Sequence, residues 1–162
     1  AAALLGLGGA VAGATAGDAL ENTLEVGLPK DELYIYQDAL RQGRLVLVVL
    51  TEDKDQVDEV REALASAGAE SIDAAREHWW LAVRDAEAEA YTGQGFDFTR
   101  NERTYRKGFV AALQAAAADK SYADAQDFLR GHFPAEYREE AFRRGYARGQ
   151  AYREGLRERL KR

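Results

Sequence analysis

Residues 43–51 read GRLVLVVLT. Six apolar residues in a row, Leu45 to Leu50, include three β-branched ones and are bounded by Gly43 and Thr51. That length and punctuation predict a strand covered on both faces. Working upstream, Gly27-Leu28-Pro29 breaks the chain, and Pro29 suits a first helical turn, where Asp31 and Glu32 complement the positive end. Leu33, Tyr36 and Leu40 then share one helical face, and Gly43 stops the helix. Working downstream, Thr51-Glu52-Asp53 turns the chain, and Val57, Val60, Leu64 and Ala67 form the apolar stripe of a second helix ended by Gly68. Ala69-Glu70-Ser71-Ile72-Asp73 reads as a short second strand. The order is α-β-α-β, with a right-handed crossover expected between the strands. Two strands alone make a poor sheet, so a third is expected from upstream, from later sequence or from another subunit.

Residues 1–17, AAALLGLGGAVAGATAG, carry no charge. Gly9, Gly13 and Gly17 fall at four-residue spacing, which on a helix lines a stripe where another backbone can approach closely. Each glycine costs a helix interior about 1 kcal/mol against alanine, so three in register call for a packing reason. Three readings stand side by side: a glycine-zipper helix packed on a sheet or on its own copy, one arm of a membrane-inserted hairpin, and a flexible leader. The run is shorter than the roughly 20 residues of a membrane span. The opening Ala-Ala-Ala without Met leads to the expectation of further sequence, including an N-terminal strand, upstream.

From Ala74 onward the pattern is helical. Trp80, Val83, Glu87 and Ala90 fall on one face, and Thr99 with Glu102 reads as a capping box opening a helix that carries Tyr105, Phe109, Ala112 and Leu113. Ser121 with Asp124 starts a short helix, and Pro134 opens the last one. The phrase Tyr105-Arg106-Lys107-Gly108-Phe109 recurs as Phe142-Arg143-Arg144-Gly145-Tyr146, and more loosely as Tyr152-Arg153-Glu154-Gly155-Leu156. Gly145 and Gly149 make a second small-residue notch. The phrase predicts helices that cross closely at glycines with aromatics clamped around the crossing. Domains are therefore expected at residues 1–73 and 74–162.

The run through Gly27-Leu28-Pro29-Lys30-Asp31-Glu32, Tyr36, Gly43-Arg44-Leu45-Val46-Leu47-Val48 and Gly68-Ala69-Glu70-Ser71-Ile72-Asp73 resembles the bacterial general stress protein 17M-like (heat-induced stress protein) domain. Leu28 stands where that family usually has Ile. The resemblance covers about residues 1–73, and the stretch from Tyr105 to Arg148 looks like extensions appended to such domains. It implies an α+β fold, here a partial ferredoxin-like α/β sandwich preceded by the glycine-zipper helix and followed by an all-helical extension. It also implies a stress-linked context and supplies no catalytic residue.

Composition narrows the chemistry. The 162 residues contain no Cys, which excludes disulfides, zinc knuckles, iron–sulfur clusters and thiol nucleophiles. The histidines, His78 and His132, lie far apart, and neither has a nucleophile or ligand pattern beside it. Glu52, Asp53 and Asp55 lack the spread ligands and central Gly of a calcium loop. No catalytic residue, metal ligand or cofactor is expected. Net charge is −6 overall but uneven, with acidic residues in excess up to residue 100 and basic ones after it. Opposite charges on two halves favour association within a molecule or between copies. Arg143, Arg144, Arg148, Arg153 and Arg157 are the candidate face for an anionic partner, while Gly9, Gly13, Gly17, Gly145 and Gly149 are the candidate helix-packing and self-association residues. A sequence pI near 5.1 and interleaved glutamates argue against nucleic acid. The expectation is a non-enzymatic, stress-associated, self-associating scaffold in the cytoplasm, a homo-oligomer or part of a larger assembly, with no small-molecule substrate. The alternative is a peripheral or hairpin-anchored protein on a membrane surface.

Overall fold

In the computed structural model of the protein, residues 2–6, 32–49, 51, 55–117 and 119–160 are described. Two strands, β1 (Ala2–Gly6) and β2 (Leu45–Val49), pair antiparallel, with Ala2 opposite Val49 and Gly6 opposite Leu45. Six α-helices account for most of the rest: α1 (Leu33–Arg41), α2 (Gln56–Ser66), α3 (Ile72–Thr92), α4 (Phe98–Leu113), α5 (Gln126–His132) and α6 (Glu140–Leu160). The chain separates into two compact units, 1–84 and 85–162, and the boundary falls inside α3 rather than at its start.

This mostly helical architecture overturns the ferredoxin-like sandwich. Among the described residues the sheet is a two-stranded ribbon, and of the expected second strand at 69–73 Glu70 makes an isolated bridge while Ile72 and Asp73 begin α3. The reason is local. The Ser71 hydroxyl accepts from the Ala74 amide at 3.2 Å, and the Ser71 carbonyl accepts from Ala75. A serine that satisfies an orphan amide, with Asp73 in the first turn, starts a helix more readily than it continues a strand. The glycine-zipper helix is corrected at its start, because Ala2–Gly6 is strand. Gly9, Gly13 and Gly17 lie outside the described residues.

In unit 1, α1 buries Tyr34, Ile35, Tyr36 and Ala39. Gly43 ends its chain reversal at φ +73° and Gly68 ends that of α2 at φ +86°, a region open to glycine at no steric cost. Tyr34 meets Trp79 of α3 edge-on at 4.8 Å, and Trp79 and Trp80 are buried. Arg76 bonds Glu32, which also accepts from the Tyr36 hydroxyl at 3.3 Å, and Arg44 pairs with Glu70. The layer is covered incompletely. No residue of α2 is buried, and Leu45 and Leu47 of β2 are 44% and 41% exposed.

In unit 2, the helix expected from Thr99 starts earlier, because the Asp97 side chain accepts from the Arg100 amide at 3.0 Å. Pro134 opens turns rather than the last helix, which begins at Glu140. Tyr91, Phe98 and Tyr105 pack in edge-on pairs 4.9–5.8 Å apart. A second cluster joins Ala112, Ala117, Leu129, Tyr137, Phe142 and Tyr146. Such aromatic pairs add about 0.5–1.5 kcal/mol each beyond the area they bury.

Candidate functional site

The most developed constellation in unit 2 lies where α4 and α6 cross. Both helices bring glycine to the contact. A methyl group on Gly108 would land on the Phe142 carbonyl oxygen, 2.8 Å from its carbon. One on Gly145 would land on the Tyr105 carbonyl oxygen, 2.9 Å from its carbon, and one on Gly149 would land on that of Phe109 and 2.9 Å from the Ala112 side chain. The three glycines therefore remove the side chains that would hold the two backbones apart. Phe109, Phe142 and Tyr146 pack around the crossing with essentially no exposure. Gly145 and Gly149 are thus in use between helices of one chain.

Glu87 sits beside that crossing, 4% exposed. Arg148 grips it with two hydrogen bonds, Nη2 to Oε1 at 2.7 Å and Nε to Oε2 at 2.9 Å, and the Tyr105 hydroxyl donates to Oε2 at 2.6 Å. The bidentate fork matches a carboxylate and satisfies both its oxygens. The hydrogen bond to Glu87 raises the Arg148 guanidinium further above its usual range, and burial, with the Glu87 contact second, pushes the Tyr105 phenol well up. A neutral phenol and a permanently charged guanidinium around a paired carboxylate hold a fixed charge pattern. The phenol is held well above the neutral range and the guanidinium keeps its charge, so the cluster fits a clamp rather than general acid–base work.

The other arginines also find partners at home. Arg144 donates to Gln94 at 2.6 Å, lies 2.9 Å from Glu140 and stacks 3.8 Å from the Phe96 ring centroid. Arg143 lies over the Tyr122 ring at 5.7 Å. Arg157 takes both carboxylate oxygens of Asp119, one of them at 2.8 Å. Arg153 lies within electrostatic reach of Asp119, and its buried Nη1 has no hydrogen-bond partner among the described residues. The five arginines are therefore dispersed over separate contacts rather than gathered on one open basic face. Sequence reasoning placed Glu87 on an apolar face but had no signal for its partner 61 positions away.

Burial raises the phenols of Tyr91, Tyr105 and Tyr146 in unit 2, and of Tyr36 in unit 1. The sign follows. Above about pH 10 the unfolded chain's phenols ionise while the folded ones stay protonated, so stability held below that pH is lost as pH rises. Each phenol contributes a slope of about 1.4 kcal/mol per pH unit there. Urea midpoints measured from pH 8 to 11.5 should hold and then fall steeply beyond about pH 10. Midpoints flat to pH 11.5 would contradict the burial of these phenols.

No cluster of three or more His, Asp or Glu able to hold a metal ion occurs among the described residues. No helix among them is long and apolar enough to cross a membrane. No family model, curated protein or solved structure matches the chain.

Proposed function

We propose that the protein is a non-enzymatic interaction protein that self-associates through unit 1, in the stress-linked setting its sequence resemblance implies. The observation that carries this reading is the exposure of Leu45 and Leu47 on a strand whose residues are all apolar. A strand built for cover on both faces has Val46, Val48 and Val49 only half-buried, and α2, which neighbours the paired strand β1, buries nothing. The residues opposite the two leucines in the register, Gly6 and Leu4, are uncharged as well. A second copy of the same ribbon suits such a face, because an isologous contact places leucine against leucine and buries no unpaired charge. Leu40, 36% exposed near the end of α1, extends the apolar surface.

Burying the remaining half of each leucine contributes about 1 kcal/mol, and a two-fold contact involves four of them, about 4 kcal/mol in all. The double substitution Leu45→Glu, Leu47→Glu should therefore weaken association by about 100-fold or more. Sedimentation velocity from 1 to 200 μM, both values chosen to bracket roughly micromolar affinity, should show the parent shifting to a larger species and the variant staying monomeric. A parent that is strictly monomeric over that range would sink the reading.

A further inference from the structure

We draw no further inference here: the strongest candidate, the Arg44–Glu70–His78 side-chain cluster between the entry to β2 and α3 in unit 1, engages its one carboxylate within the cluster, on the Arg44 guanidinium and the exposed His78 ring, and nothing in the structure points to a ligand for it.

Discussion

Gly145→Ala lowers the stability of unit 2 by about 2–3 kcal/mol, whereas Gly155→Ala in the same helix raises it by up to about 1 kcal/mol. The two substitutions are chemically identical and sit in one helix, so intrinsic propensity favours both by the same amount. They differ in what the new methyl meets. At Gly155 nothing lies within 4 Å. At Gly145 it meets the Tyr105 carbonyl and comes within 3.0 Å of the Phe109 amide, and neither is the movable end of a flexible side chain. The helices must separate, and Phe109, Phe142 and Tyr146, all fully buried, then lose contact along the whole crossing. Overpacking against a rigid neighbour costs about 1–3 kcal/mol or more, which outweighs the propensity gain. Gly108→Ala attacks the same crossing from the other helix and should behave like Gly145→Ala. Hydrogen exchange of peptides from α4 and α6 reports the effect where it arises, while the tryptophans, both in unit 1, do not. Equal protection in the two alanine variants would show that the backbones are not in contact at Gly145.

The crossing was legible in the sequence because its signal is repeated. Gly108 and Gly145 sit in matching aromatic-Arg-basic-Gly-aromatic phrases, and those phrases are the two sides of one contact. The ends of α1 and α2 were legible for a similar reason, since Gly43 and Gly68 carry the positive φ that a helix reversal requires. The strand read at Ala69–Asp73 failed because a five-residue run carries little periodicity, while the serine's capping geometry is a three-residue matter that favours a helix. The partners of the basic residues were not legible, on a different ground. Arginines spaced along a helix look like one surface in sequence, but Arg144, Arg148 and Arg157 each meet an acid or a ring from another part of the chain. Such long-range pairings leave no local trace.

Arg148→Met should cost more than Glu87→Gln, although the two residues form one ion pair. The pair is asymmetric: the Glu87 side chain is 5% exposed and that of Arg148 is 43% exposed. Removing the arginine leaves a carboxylate in the interior with the Tyr105 hydroxyl as its remaining partner, a loss of about 3–5 kcal/mol. Removing the charge on Glu87 leaves a guanidinium that can turn to water. The amide that replaces the carboxylate still offers Tyr105 an acceptor, so the loss is about 1–2 kcal/mol. The pH dependence separates the two. A buried carboxylate without its cation is relieved by taking up a proton, so Arg148→Met should gain stability relative to the parent as pH falls from 7 toward about 4.5, near the ordinary glutamate range. Glu87→Gln has no such proton to bind and should track the parent, apart from its constant offset. The double variant removes the buried charge together with its cation and should be more stable at pH 7 than Arg148→Met alone. Urea unfolding of unit 2, followed by exchange in α4 and α6 at both pH values, measures all four chains. If Arg148→Met is no worse than Glu87→Gln and shows no recovery in acid, Glu87 is solvated, and the clamp at the crossing does not hold as described.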